Sequence, residues 1–247
     1  MAAVLLTGPG GFDKLDYRTD VAVPAPAPDQ VLIRVRAAGV NNTDVNTRIG
    51  WYSKSITGDT ADAAAVEGDG PTDGGWAGAL AFPRIQGADA CGEIVAVGTG
   101  VNSARIGERV IVGTMQRHPA GNQPWTTAVF GSEFDGGFAQ YTVTHHLEAH
   151  AIDCDWTDVE LASIPCAYST AENMLHRIGL GEEHVLITGA SGGVGSAAIQ
   201  LAKRRGATVT AVCSAGKADG VRDLGADRVV AGKADLVVEL GENSIDV

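Results

Sequence analysis

Basic residues are scarce in this chain of 247 residues. It carries 18 lysines and arginines against 30 aspartates and glutamates, which gives a formal net charge of -12. An acidic balance of this size argues against nucleic acid or an anionic membrane surface as a partner. Apolar runs of membrane-spanning length are absent, and the first residues lack the basic region of a signal peptide. We therefore expect no membrane partner and a cytoplasmic location.

Cysteines are few and scattered. The four are Cys91, Cys154, Cys166 and Cys213, and no two of them form a C-x-x-C pair. Disulfide frameworks are typical of small, cysteine-rich secreted domains, and structural zinc sites usually contain closely spaced pairs of ligands. The spacing therefore predicts reduced thiols, and the 45% of hydrophobic residues predicts a sizeable core.

A glycine-rich turn between an apolar strand and an amphipathic helix is the clearest pattern present. Residues 185–187 are apolar, glycines follow at 189, 192, 193 and 195, and apolar residues then recur at helical spacing through 194–202. Gly206 predicts the end of this helix, and residues 208–213 predict a second strand. Strand, glycine turn, helix and strand form the dinucleotide-binding unit.

Each glycine of this turn has a predicted role in a dinucleotide site. Gly189 permits the tight turn, Gly192 and Gly193 leave room for the pyrophosphate, and Gly195 lets the helix pack closely on the strand. The predicted cofactor-binding residues of the turn are Gly189, Ser191, Gly192, Gly193, Val194 and Gly195. The alternative is a glycine-rich turn in some other α/β domain.

The end of the second strand lacks the carboxylate that usually binds the ribose of NAD. Ser214 and Lys217 occupy this stretch instead. A hydroxyl and an ammonium suit a 2′-phosphate, so the sequence favours NADP(H). Alternatively, Ser214 caps the next helix and Lys217 is solvated.

Two domains are expected from the change in pattern along the chain. Residues 1–155 read as short strands with glycine turns, which favours a small barrel-like β domain, and 156–247 begin the βαβ pattern. Residues 55–82 form an acidic, glycine-rich insert. This insert is either a lid near the active site or an expanded surface loop.

The motifs together resemble the medium-chain dehydrogenase/reductases, in particular the zinc-free, quinone oxidoreductase-like branch. The resemblance implies an α/β protein with an N-terminal GroES-like β domain and a Rossmann dinucleotide-binding domain, and a homodimer in the full-length protein. Because family members are longer, we expect 1–247 to be a fragment, or the ordered part, of a longer protein. The matching segments are 39–44 (GVNNTD), 48–52 (RIGWY), 86–92 (QGADACG), 95–101 (VAVGTGV), 107–110 (GERV), 136–139 (GGFA), 165–170 (PCAYST), 189–195 (GASGGVG) and 224–227 (LGAD).

The resemblance also implies that no metal is bound. The zinc branch has cysteines at the positions of Asn41 and Cys166, and a His-Glu pair at 88–89, where this chain has Ala-Asp. One thiol and one amide do not make a tetrahedral zinc site. Three closely spaced histidines, His145, His146 and His150, are predicted to lie on the surface.

Loss of the metal favours reduction of a quinone or an α,β-unsaturated carbonyl by NADPH. The predicted catalytic residues are Asn41, Thr43 and Tyr52, which can donate hydrogen bonds to the substrate oxygen. Asp44 is expected to fix the surrounding loop, and Thr170 matches a nicotinamide contact of the family. For Asn41 the alternative is that it only shapes its turn. The alternative functions are a non-catalytic NADPH-binding protein and a zinc-type alcohol dehydrogenase.

Overall fold

The structure, a computed structural model, describes residues 1–58, 70–117 and 128–247. These residues divide into two compact units, Met1–Cys166 and Ala167–Val247. The division falls later than the boundary after residue 155 that the sequence suggested. A short helix near residue 160 packs with Cys91 in a hydrophobic cluster of the first unit, through Leu161 and Ala162.

The first unit is built mainly from antiparallel strands. One sheet has the order β7-β3-β5-β6-β8, and a second has the order β2-β1-β4. The strands are β1 (Ala3–Leu6), β2 (Leu15–Arg18), β3 (Gln30–Ala37), β4 (Arg84–Ile85), β5 (Cys91–Val97), β6 (Arg109–Val112), β7 (Tyr141–His145) and β8 (Ala149–Ala151).

The core of this unit lies against the five-stranded sheet. β6 and β7 alternate between buried and half-buried residues, as strands with one covered face do. The central β3 pairs with β5 on one side and with β7 on the other. The core cluster consists of Val31, Ile33, Ala90, Ile94, Val101, Val110, Val112, Phe130 and Ala149.

Two helices of the first unit begin at capped ends. α1 (Asn42–Ile49) follows Asn41 and ends at Gly50, which has φ +73°. α2 (Asp158–Leu161) begins after Thr157, whose hydroxyl accepts a hydrogen bond from the backbone N–H of Glu160. We predicted the stretch around α1 as a loop; it is helical because Asn41 and Asp44 form an N-terminal cap and Gly50 supplies the left-handed end.

The second unit contains a parallel sheet of order β11-β10-β9. Its strands and helices alternate along the chain, which confirms the predicted Rossmann-like α/β pattern. The elements are α3 (Pro165–Arg177), whose first two residues belong to the first unit, β9 (His184–Ile187), α4 (Gly193–Arg204), β10 (Thr208–Cys213), α5 (Ala218–Asp223), β11 (Arg228–Ala231) and α6 (Leu236–Leu240).

The last residues of the chain pair with β9 on the side away from β10. The backbone N–H of Leu186 donates to the carbonyl of Val247 at 2.8 Å, and the N–H of Val247 donates to the carbonyl of His184 at 3.2 Å. This alternation is the hydrogen-bond pattern of a parallel pair. Residues 245–247 thus continue the parallel pairing of the sheet past β9.

Within the described ranges, every helix is too short or too polar to cross a lipid bilayer. The predicted insert 55–82 falls partly outside those ranges, at residues 59–69, while its remaining residues belong to the first unit.

Candidate active site

The N-terminus of α1 is fixed by the carboxylate of Asp44. One carboxylate oxygen accepts the backbone N–H of Asn41 at 2.8 Å. The other accepts the N–H groups of Gly87 at 3.1 Å and Ala88 at 2.9 Å. Asp44 is buried, with 6% of its surface exposed. These bonds tie α1 to the loop before β5 and confirm the prediction that Asp44 fixes this region.

Asp89 joins two residues that are distant in sequence. One of its oxygens accepts a hydrogen bond from the side-chain amide of Asn41 at 2.9 Å. The other accepts the backbone N–H of Cys166, in the first turn of α3, at 2.7 Å. Only 1% of the Asp89 surface is exposed. The structure therefore brings Asn41, Asp89 and Cys166 together.

The ionisation of this cluster is shifted toward its protonated forms. Burial raises the pKa of Asp89 to about 6, against the opposing effect of its hydrogen bonds from Asn41 and Cys166. Burial also raises the pKa of Asp44, although three backbone N–H groups favour its carboxylate. Burial, together with the charges of both carboxyls, raises the pKa of the Cys166 thiol to about 12. Cys166 is therefore a thiol at neutral pH in the described environment.

Thr43 and Tyr52 form a hydroxyl pair next to this cluster. The hydroxyl of Tyr52 donates to Oγ1 of Thr43 at 3.0 Å. Thr43 lies in the first turn of α1, immediately after the cap, and Tyr52 follows the end of the same helix. The three predicted catalytic residues are thus carried by α1 and its flanking residues.

The donor set at Asn41 and Cys166 is poor for a metal. Asn41 turns its NH₂ group toward Asp89, and both oxygens of Asp89 already accept hydrogen bonds. No group of three or more His, Cys, Asp or Glu side chains in the described residues is arranged to hold an ion. His145 stacks on His146 with ring centroids 4.8 Å apart, and His150 is exposed in β8.

In the second unit, the turn after β9 has the geometry expected of a dinucleotide cradle. Gly189 adopts φ +61°, a backbone conformation that favours glycine. A Cβ at Gly195 would overlap the carbonyl oxygen of Gly189 and lie 2.7 Å from the Cα of Ala190. These two findings agree with the tight turn and the close helix packing that the sequence predicted.

Few atoms lie beside the next two glycines. A Cβ at Gly192 would meet only the carbonyl oxygen of Gly189 at 3.3 Å, and one at Gly193 would meet the Cβ of Ala167 at 3.6 Å. Gly192 and Gly193 are exposed at the start of α4, while Ser191 and Val194 are half-buried. The first backbone N–H groups of a helix have no acceptor within the helix, so this end suits a phosphate.

Ser214 and Lys217 lie at the same end of the parallel sheet as the glycine turn. The N–H of Ala190 donates to the carbonyl of Val212 at 3.1 Å, which ties the turn to the end of β10. Ser214 directly follows β10, and its side chain makes no capping hydrogen bond. Ser214, Lys217 and Thr170 are all exposed.

Sequence reasoning missed two residues of the first site. Asp89 was considered only as the counterpart of a zinc-branch glutamate, although a lone carboxylate in the apolar stretch 85–91 already suggested a buried partner. Trp76 was not considered at all. Its indole N–H donates to Oγ1 of Thr43 at 2.9 Å, and no local pattern in the polar insert indicates this contact.

Comparison with known proteins identifies the family of this chain. The alcohol dehydrogenase GroES-like domain matches residues 27–153, more than half of the sequence. The chain belongs to the medium-chain dehydrogenase/reductase superfamily. Its curated relatives support the quinone oxidoreductase-like branch of that superfamily.

Two curated relatives and one solved structure illustrate this membership. A chloroplastic quinone-oxidoreductase homolog of Spinacia oleracea is 31% identical over 93% of this chain and 60% of its own length. The 2-methylene-furan-3-one reductase of Solanum lycopersicum is 29% identical over 93% and 52%. The crystal structure of a putative alcohol dehydrogenase from Sinorhizobium meliloti 1021 has 47% identity and a TM-score of 0.82, over 97% of this chain and 64% of that one. The chain thus spans less than two thirds of the length of these superfamily members.

Proposed function

We propose that this protein is an NADPH-dependent oxidoreductase that reduces a quinone or an α,β-unsaturated carbonyl without zinc. The observation that carries the proposal is the set of hydrogen-bond donors of Asn41, Thr43 and Tyr52, which lie on α1 and on the residues that flank it. The names of the spinach and tomato relatives, a quinone oxidoreductase homolog and a furanone reductase, support this substrate class.

These donors would form hydrogen bonds with the substrate oxygen. Addition of a hydride to an enone carbon or to a quinone moves an electron pair onto the oxygen, which then accepts a proton. Donors that are already oriented stabilise this developing charge without reorganising. One amide hydrogen of Asn41 is held by Asp89, and the second remains for the substrate. The hydroxyl pair of Thr43 and Tyr52 supplies the other hydrogen bond.

The cofactor residues are proposed on the fit of the glycine turn and the end of β10. NADPH supplies the hydride when it is bound. The N–H groups at the start of α4 and the open space at Gly192 and Gly193 would hold the pyrophosphate. The exposed hydroxyl of Ser214 and the ammonium of Lys217 would bind the 2′-phosphate. Thr170 would contact the nicotinamide, as in the family.

The zinc-free part of the proposal rests on the chemistry of the donor set. Asn41 offers an amide where the zinc branch has a thiolate, and Asp89 already accepts hydrogen bonds at both of its oxygens. Asn41, Thr43 and Tyr52 would therefore stabilise the substrate oxygen in place of a Lewis acid.

The direct test is oxidation of NADPH by the purified protein over a panel of quinones and enones, before and after incubation with a chelator. We expect turnover of at least one acceptor, unchanged activity after chelation, and less than stoichiometric zinc by metal analysis. Tyr52→Phe should lower kcat/KM by roughly tenfold to a hundredfold, because it breaks the hydroxyl pair that donates to the substrate oxygen.

Tyr17→Phe is the matched control, because Tyr17 is exposed on β2, and it should leave kcat/KM unchanged. NADPH binding without turnover of any acceptor would instead indicate a non-catalytic binding protein. Stoichiometric zinc whose removal abolishes activity would indicate a zinc-type alcohol dehydrogenase.

A further inference from the structure

Trp76 completes the hydrogen-bond network of the candidate catalytic hydroxyls. Its Nε1 lies 2.9 Å from Oγ1 of Thr43, the same oxygen that lies 3.0 Å from the hydroxyl of Tyr52. The rings of Trp76 and Tyr52 lie against each other, with centroids 4.6 Å apart and planes tilted by 34°. Nearly half of the Trp76 surface, 48%, remains exposed. A residue of the insert thus reaches the first turn of α1.

The backbone around Trp76 is held on both sides. Gly75 and Gly78 exchange two backbone hydrogen bonds, at 2.9 and 3.3 Å, so that Trp76 and Ala77 form the tip of a tight turn. The N–H of Ala77 donates to the carboxylate of Glu133 at 3.0 Å.

The insert also contacts the end of α1 before it reaches this turn. A Cβ at Gly74 would lie 2.6 Å from the carbonyl oxygen of Gly50, so the two backbones touch where α1 ends. Trp76 is therefore placed over Thr43 by several contacts besides its own hydrogen bond.

Counting hydrogens shows what this contact does. An indole N–H only donates, so Trp76 fills one of the two acceptor positions of the Thr43 oxygen. Tyr52 donates to the second position, so both acceptor positions of Oγ1 are filled. The Thr43 hydroxyl can therefore meet a third group only by donating its own hydrogen, and the indole donor strengthens that bond through the chain of bonds.

We propose that Trp76 is a positioning residue that fixes the Thr43–Tyr52 hydroxyl pair as a hydrogen-bond donor to the substrate oxygen. Trp76 acts through Thr43 and does not itself touch the reacting atoms. The inference rests on the proposed function, since the substrate oxygen is that of a quinone or an enone. It adds that the segment of the insert around Trp76 is part of the site rather than a surface loop.

The first experiment follows the indole N–H itself and requires no activity. The chain has four tryptophans, so four indole signals are expected in a proton–nitrogen correlation spectrum, and Trp76→Phe assigns one of them by its loss. Thr43→Val removes the acceptor with little change in shape. It should shift this one signal and speed its exchange with solvent, while Thr43→Ser, which keeps the oxygen, should restore both.

The second experiment measures kinetics in a double-mutant cycle. Trp76→Phe keeps the ring against Tyr52 but removes the donor, and we expect kcat to fall roughly fivefold to tenfold with KM within about twofold. In the Thr43→Val background the same change should have no further effect, because its acceptor is gone. Trp156→Phe, at another exposed tryptophan, should leave kcat unchanged in both backgrounds.

Each outcome decides the proposal. If Thr43→Val leaves the Trp76 indole signal unchanged, the proposal is overturned, whether or not the protein turns over a substrate. A signal that responds, combined with an equal loss of kcat from Trp76→Phe in both backgrounds, shows a packing role and also overturns it. A responding signal in a protein that turns over no quinone or enone removes both the proposed function and the positioning role. The proposal is supported if the signal changes and Trp76→Phe lowers kcat in the wild type but not in the Thr43→Val variant.

Discussion

The site around α1 and the glycine turn after β9 differ in whether side chains or backbone form the accessible surface. Around α1, polar side chains are buried and already bonded to one another, as with Asp44 and Asp89. In the glycine turn, Gly192 and Gly193 have no side chains, and their exposed backbone has few neighbouring atoms. Around α1, contacts between residues distant in sequence therefore orient the polar side chains. In the glycine turn, the local backbone conformation leaves the start of α4 accessible.

Loss of the Asp44 carboxylate should have the largest effect on stability, because this buried side chain accepts three backbone hydrogen bonds around α1. Asp44→Ala leaves the N–H groups of Asn41, Gly87 and Ala88 without their acceptor. We expect the free energy of unfolding to fall by about 3–5 kcal/mol, measured by chemical denaturation. Asp20→Ala, at an exposed carboxylate paired with Arg18, should leave the midpoint nearly unchanged. Equal effects of the two changes would mean that the network around α1 is not what holds that region.

The stability contributed by Asp89 in the first unit and by Asp227 in the second should depend on pH in opposite directions. Burial raises the pKa of Asp89 to about 6, so the folded state binds this proton more tightly than the unfolded chain does. Its contribution to stability is fully present below the ordinary aspartate pKa and is lost as the pH rises to about 6. Asp89→Asn should therefore gain stability relative to the wild type between about pH 4 and about pH 7, by up to about 3 kcal/mol.

Asp227 of the second unit provides the opposite case. Hydrogen bonds from Lys203 and from the backbone of Val209 lower the pKa of Asp227. The stability that it contributes is present above the ordinary aspartate pKa and is lost as the pH falls. Asp227→Asn should therefore lose stability relative to the wild type as the pH rises to the ordinary aspartate pKa of about 4, and the difference should then stay constant at higher pH. Parallel profiles for the two variants would remove this contrast between the regions.

The smallest effect is expected at Lys217, at the same end of the parallel sheet as the glycine turn. Lys217→Ala should weaken NADPH binding by about 1–3 kcal/mol, the scale of a charge-assisted hydrogen bond, and should change NADH binding little. Lys54→Ala, at an exposed lysine of the first unit, serves as the control in the same titration. Equal losses for both nucleotides would show that Lys217 does not read the 2′-phosphate.

The same contrast explains how much could be predicted from the sequence. The tight turn at Gly189, the close packing at Gly195, the end of α4 before Gly206 and the span of β10 all depend on neighbouring residues, and the structure confirms them. The bond from Trp76 to Thr43 joins residues 33 apart, and the bond from Asn41 to Asp89 joins residues 48 apart. Only the folded chain brings such pairs together, so the sequence indicated Asp44 as an orienting group but not Asp89 or Trp76.

The pairing of the last residues with β9 has a consequence for where a ligand enters the second unit. β10 and β11 lie on one side of β9, and residues 245–247 lie on the other. The order of strands therefore reverses direction at β9, which makes its carboxyl end a topological switch point. Connections leave such a point toward opposite faces of the sheet and open a crevice between them. Gly189 begins the turn at that end of β9, so the crevice opens directly above the glycines.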